Sequence, residues 1–206
     1  MIVRSGKNQI EMEELFVIPL VKVVVQEDTS ELISNTDFIP GMNQEFKPKK
    51  INYRVLEKYP NTKNILLKYI RSSVKMMGYS SEVDVSTSWC TKVFKGDVGH
   101  LHRHKNSWFS ALYYYGDYDE NCGKFIFTNP LTDLTSFMSN VFSVNEFNRH
   151  SKTWLPRKNQ LIIFPSYIQH GVSEHLSDLI RYSLAINIVP VGTYGRSDST
   201  YDTSWY

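Results

Sequence analysis

Between residues 61 and 77 the chain places Ile65, Leu66, Tyr69, Ile70, Val74 and Met77 three and four positions apart, the spacing that lines one face of an α-helix. The pattern predicts a helix that starts near Asn61 and stops at Gly78, a residue suited to the left-handed turn that ends helices. A shorter helix is expected over residues 28–34, with an acidic first turn and Leu32 and Ile33 to bury. Elsewhere the helical period disappears. Residues 15–25, 83–94, 108–115, 124–128, 140–147, 161–164 and 179–189 are β-branched or aromatic runs of strand length, separated by Gly, Pro and Asn punctuation. Pro19 marks a bulge or an edge in the first run, and Pro40, Gly41 and Pro48 mark irregular chain. Helices first and many short strands afterwards predict a mainly β protein, a sandwich or barrel with N-terminal helices packed on one face.

Length and composition narrow the class. The 206 residues make one domain, divided into an N-terminal support over 1–82, a strand core over 83–192 and a tail over 193–206. With 41% hydrophobic and 21% charged residues the chain carries enough apolar surface to fold, yet no stretch reaches the roughly 18 unbroken apolar residues of a membrane helix. Lys and Arg number 23 against 21 Asp and Glu, too even for a chain whose main work is neutralising phosphates, so neither nucleic acid nor membrane is expected as partner. Two cysteines, Cys90 and Cys122, cannot build a disulfide framework or a four-thiolate zinc site, and no basic-then-apolar leader pattern opens the chain. These features predict a cytoplasmic protein.

The candidate chemistry lies in the histidines. Of six, three crowd into five positions: His100, His102 and His104. In a strand His102 and His104 share a face while Arg103 points away. A metal on a β scaffold takes such a close pair and a third ligand from a remote strand, and the candidate is His170, which follows an apolar strand broken by Pro165. His100 falls at the strand's start and is the alternative to His104 as a ligand, and His150 and His175 lie in polar stretches where surface positions are expected. Downstream, Arg181, Ser183, Ala185 and Asn187 share one face of a strand, and Tyr182, Leu184, Ile186 and Ile188 share the other. The second face is core; the first is either solvated or a polar binding face. Trp108, Ser110, Leu112 and Tyr114 share a face in the same way, which leaves Tyr113 and Tyr115 to packing.

Taken in order, His102-Arg-His104-Lys-Asn106-Ser107, Ser110-Ala-Leu-Tyr113-Tyr114, Gly123 to Pro130, Phe164-Pro165-Ser166 with His170-Gly-Val172, and Arg181-Tyr-Ser183 with Asn187 resemble the Fe(II)- and 2-oxoglutarate-dependent oxygenases. The likeness is specifically to a small family common in phage and bacterial genomes, and it covers residues 83–192. It implies a double-stranded β-helix, a cupin-like jelly roll, and an enzyme that takes Fe(II), O2 and 2-oxoglutarate and hydroxylates a substrate with release of succinate and CO2. A phage-encoded copy would work in the host cytoplasm. His102 and His170 would be iron ligands, and Arg181, with Ser183 and Tyr114, would hold the far carboxylate of 2-oxoglutarate. Trp108, Ser110 and Asn187 become candidates for the substrate pocket, and the loops at 116–122, 131–140 and the tail 194–206 for its rim.

One position departs from the wider superfamily: His104 stands where that superfamily has Asp or Glu. Three outcomes stay open: direct ligation by His104, a carboxylate brought from elsewhere such as Asp97 or Glu174, or a weakened, inactive site. Direct ligation is favoured, because strand parity sets His104 beside His102. The competing functions are a three-histidine cupin-like dioxygenase that does not use 2-oxoglutarate, and a non-catalytic jelly-roll binding or virion module. A homodimer also stays open, since a sheet edge and a dimer interface look alike in sequence.

Overall fold

The computed structural model describes residues 2–5, 8–11, 13–14, 16–39, 51–131 and 141–203. The irregular chain expected at Pro40, Gly41 and Pro48, all but the first residue of segment 131–140, and the end of the tail lie outside them. In chain order the strands are β1 (Ile2–Ser5), β2 (Asn8–Glu11), β3 (Val21–Val24), β4 (Phe38–Ile39), β5 (Glu82–Val93), β6 (Gly99–His102), β7 (Phe109–Tyr114), β8 (Phe125–Thr128), β9 (Ser151–Trp154), β10 (Gln160–Pro165), β11 (His170–Val172), β12 (Arg181–Val191), β13 (Thr193–Tyr194) and β14 (Tyr201–Asp202). Among the described residues a single α-helix, α1 (Pro60–Met76), stands before β5. The expected group of N-terminal helices is thus reduced: residues 28–34 form only a short 3-10 turn, Ser30–Ser34, and another 3-10 turn spans Val55–Lys58.

Helix α1 starts with Pro60 at its first position, where the missing N–H costs nothing. Gly78, at φ 88°, closes it in the left-handed conformation that favours glycine. Its apolar stripe, Leu66, Ile70 and Val74, packs with Leu32 and Leu56 onto one face of a six-stranded sheet, against Tyr113, Leu161, Leu184, Ile186 and Ile188. That sheet has the order β3-β10-β7-β12-β5-β4, with only β4 parallel to its neighbour. A four-stranded sheet, β6-β11-β8-β9, covers the opposite face, where Tyr114, Ile162 and Phe164 meet Phe125 and Ile168. The order of layers is therefore helix, large sheet, small sheet.

The alternation expected for β12 is present. Leu184, Ile186 and Ile188 point to the helix side, while Arg181, Ser183, Ala185 and Asn187 line a cavity between the sheets. The strand expected at 140–147 is absent from its described part. Asn145 accepts the Phe147 N–H (2.9 Å) and Asn148 the Asn145 N–H (2.8 Å), and such local bonds compete with a ladder. Val141, Phe142 and Val144 consequently lie exposed, and the strand comes later, as β9.

Replacing Ile70, which is fully buried in the helix–sheet layer, by Ala is expected to cost about 2–5 kcal/mol in urea denaturation. Ile33→Ala, at a position 74% exposed, should stay within about 0.5 kcal/mol.

Candidate active site

The antiparallel pairing of β6 on β11 sets His102 directly opposite His170. Phe127 of β8 flanks His170 on its other side. Both histidines have Nδ1 2.8 Å from a backbone carbonyl, His100 for His102 and Ile168 for His170. A carbonyl only accepts, so each Nδ1 carries a proton, and in the neutral imidazole it is Nε2 that holds the lone pair. His104 completes a group in which one ligand atom from each ring lies within 4.8 Å of the others. Its ring stacks on His170 at 5.0 Å and faces Trp89 at 5.5 Å. No carboxylate joins this group among the described residues.

His104 reaches the group by a different route from the one expected. Strand β6 ends at His102, so parity along a strand does not place His104; the chain bends just beyond it, and the His104 N–H donates to the Ser166 carbonyl at 3.3 Å. Asp97 lines the same cavity, but its Oδ2 accepts the Phe94 N–H at 2.9 Å, which closes the turn before β6. Glu174 is exposed.

Arg181, at the start of β12, is 1% exposed. Its Nε donates to the Gly123 carbonyl (3.0 Å) and Nη1 to Ser183 Oγ (3.3 Å), while Nη2 has no protein partner. Ser183 is tied in turn to Thr91 at 2.7 Å. The guanidinium lies 5.3 Å from the centre of the Tyr114 ring, and the buried Tyr114 hydroxyl is also unpartnered. Arg181 makes no salt bridge among the described residues, so a permanent positive charge sits buried without a counter-ion. The cavity it lines has a volume of about 320 Å³, and its wall also includes His102, His104 and His170. The site thus offers a cluster of imidazole nitrogens and a buried cation to one small ligand.

The substrate-pocket candidates divide. Ser110 and Asn187 line the cavity. Trp108 does not: it precedes β7, where the chain turns, and packs on Tyr79 at 4.8 Å beside the helix-side core. His150 is exposed as expected, and His100 is exposed as well and lies outside the histidine group. His175 is not a surface residue but fully buried. Its Nδ1 accepts the Gly123 N–H (2.9 Å) and its Nε2 donates to the Leu179 carbonyl (2.6 Å). Because Gly123 also receives Arg181, His175 supports the cation from behind. The surrounding Ser, Glu and Asp hid this role, since a histidine buried by backbone bonds has no sequence pattern.

Burial, followed by the charge of His102, pushes His104 down to about 4. Burial is likewise the first cause for His170, also lowered to about 4. Both stay neutral where the unfolded chain, with histidines near 6.5, begins to take up protons. The contribution of these two groups to the stability of the metal-free protein is therefore fully present above about pH 6.5 and is lost as the pH falls toward 4. The urea midpoint should drop over that window, and His170→Gln should flatten the drop.

Residues 87–187 match the model of a family described as "Putative 2OG-Fe(II) oxygenase". No curated protein matches the sequence. Among solved structures, HygX from Streptomyces hygroscopicus with nickel, 2-oxoglutarate and hygromycin B bound is 13% identical over 84% of this chain and 83% of its own, with a TM-score of 0.54. Iron-bound HygX gives 10% identity over 84% and 82%, with a TM-score of 0.50. At these identities the likeness is one of fold. An oxidoreductase of the 2OG-Fe(II) oxygenase family from Burkholderia pseudomallei is 16% identical over 56% of this chain with a TM-score of 0.44, and the chain spans about half, 49%, of that protein's length. The matched segment contains His102, His104, His170 and Arg181, and it is this part of the chain, residues 87–187, that belongs to the 2OG-Fe(II) oxygenase family.

Proposed function

We propose that the protein is a non-haem Fe(II)- and 2-oxoglutarate-dependent dioxygenase, that its two sheets form the double-stranded β-helix of a jelly roll, and that it hydroxylates a substrate with release of succinate and CO2. The observation that carries this reading is the buried Arg181, which has no counter-ion among the described residues and whose Nη2, like the neighbouring Tyr114 hydroxyl, has no hydrogen-bond partner among them, on the wall of the cavity that also holds three histidines. The donor set fits the family's cofactors. His102, His104 and His170 would hold Fe(II). Arg181, Ser183 and Tyr114 would hold the far carboxylate of 2-oxoglutarate, a planar anion that matches the guanidinium fork.

When bound, iron and 2-oxoglutarate supply the oxygen activation that no side chain provides. The chain itself contributes orientation and dryness. Carbonyl bonds to the two Nδ1 atoms fix the imidazole tautomers and leave Nε2 free to ligate. Burial keeps His104 and His170 neutral at physiological pH. Gly123 and Ser183 hold the guanidinium so that its remaining nitrogen stays available. Val98, Leu112, Phe125 and Val172 form apolar wall, which excludes water and strengthens each charge interaction. Three neutral imidazoles leave Fe(II) a formal charge of about +2, where a two-histidine, one-carboxylate site leaves about +1. A dianionic cosubstrate compensates that added charge.

The carboxylate-free triad also suits a cupin-like dioxygenase that does without 2-oxoglutarate, but that reading leaves Arg181 buried without a counter-ion. Anaerobic titration of the Fe(II)-loaded protein with 2-oxoglutarate separates the two. A saturable metal-to-ligand charge-transfer band is expected in wild type. His170→Ala should abolish it, and Arg181→Ala should weaken 2-oxoglutarate binding by about 30-fold or more, the scale of a lost charge-assisted pair. Iron binding without the band would favour the cupin-like reading, and no iron binding would favour a non-catalytic module.

A further inference from the structure

His104 is the member of the histidine group that no strand holds. Beyond the end of β6, Asn106 takes the left-handed conformation at φ 59°. Three backbone bonds lace this segment to its surroundings: His104 N–H to the Ser166 carbonyl (3.3 Å), Ser166 N–H to the Trp108 carbonyl (3.1 Å) and Trp108 N–H to the Ile188 carbonyl (2.8 Å). A line of hydroxyls runs alongside. Ser166 Oγ donates to Ser107 Oγ at 2.9 Å, and Ser107 Oγ donates to the Phe109 carbonyl at 2.8 Å and accepts the Ile188 N–H at 3.2 Å. Ser110 Oγ lies 2.8 Å from Ser166 Oγ and shares a hydrogen bond with it. Ser110 also lies 3.4 Å from Asn187 Oδ1, and Asn187 Nδ2 donates to Thr87 at 3.0 Å.

Ser166 is fully buried and Ser110 is 3% exposed. Buried hydroxyls stabilise only when each is bonded, and here each bond joins a different part of the fold: the loop after β6, the turn before β11, and strands β7, β12 and β5. The turn at Ser166 is the one that delivers His170. The same groups therefore reference the loop-borne imidazole to a strand-borne one.

We propose that the Ser107–Ser166–Ser110 hydroxyl line is a positioning device that fixes the loop carrying His104 against His102 and His170, and that Ser110 and Asn187 serve it rather than contact substrate. This rests on the reading of the histidines as a metal centre. A ligand on an unsupported loop pays for its ordering when the metal binds, whereas a pre-fixed loop does not.

The test is titration of the metal-free protein with Co(II) alone, followed by absorbance and calorimetry, with thermal melts of each metal-free variant. Ser107→Ala should lose about tenfold or more in Co(II) affinity, with a spectrum shifted toward that of His104→Ala. Ser107→Thr, which keeps the hydroxyl, should restore both. In a His104→Ala background, Ser107→Ala should change the affinity no further. Ser110→Ala, which leaves the Ser107–Ser166 bond intact, should lose less, and serves if Ser107→Ala does not fold. Wild-type affinity in folded Ser107→Ala or Ser110→Ala overturns the proposal, as does an equal loss in both backgrounds, the mark of a general structural effect. A His104→Ala variant that binds as wild type also overturns it, while a wild type that binds Co(II) no better than His170→Ala strikes the metal reading itself.

Discussion

The pairing of β6 with β11 is the constraint from which the site follows. Four residues meet three, and the register puts His102 across from His170. The close approach depends on glycines in both strands. A Cβ on Gly171 would lie 2.7 Å from the Gly99 carbonyl oxygen, and one on Gly99 would lie 3.0 Å from Val172 Cβ. Strands this short gain little from their own ladder, so they are held by β8 on one side and by the packing of Phe125 and Ile168 against the large sheet. The positions of His102 and His170 thus follow from the packing of the two sheets.

Across that cavity the second constraint is electrostatic. A buried guanidinium without a counter-ion is costly in isolation, and the fold offsets part of that cost with the Gly123 carbonyl, the Ser183 hydroxyl and the Tyr114 ring. His175 secures Gly123 from the far side, and a side chain at Gly123 would meet the Ser173 carbonyl at 2.7 Å. The remaining imbalance is what a small anion would relieve. A near-neutral chain of net charge +2 is consistent with this, because one well-placed arginine would serve a single dicarboxylate without a basic surface.

Much of this was legible in the residues and some of it was not. The period of 3.6 located α1, and the alternation in β12 separated Leu184 and Ile186 from Arg181 and Ser183, because both patterns reflect burial of one face of a regular element. Residues 140–147 misled, since asparagine side chains captured backbone groups that a ladder would have used. Trp108 misled for a related reason: parity fails where the strand has not yet begun. His104 stands with His102 and His170, yet by way of a turn and not of a strand, and His175 passed for a surface residue because its partners are main-chain groups distant in sequence.

The sequence by itself determined which residues are apolar on one face, where the chain must turn, and the identity of the groups able to ligate a metal or meet a carboxylate. These are local properties, set by side-chain chemistry and by periodicity along one element. Only the tertiary structure decided that His102 and His170, 68 positions apart in the chain, stand opposite each other, that Arg181 is buried without a counter-ion among the described residues, and that hydroxyls from separate elements meet behind His104. Each of these depends on strand register and sheet packing, which are settled by the cooperation of many distant contacts and leave no trace in any single segment.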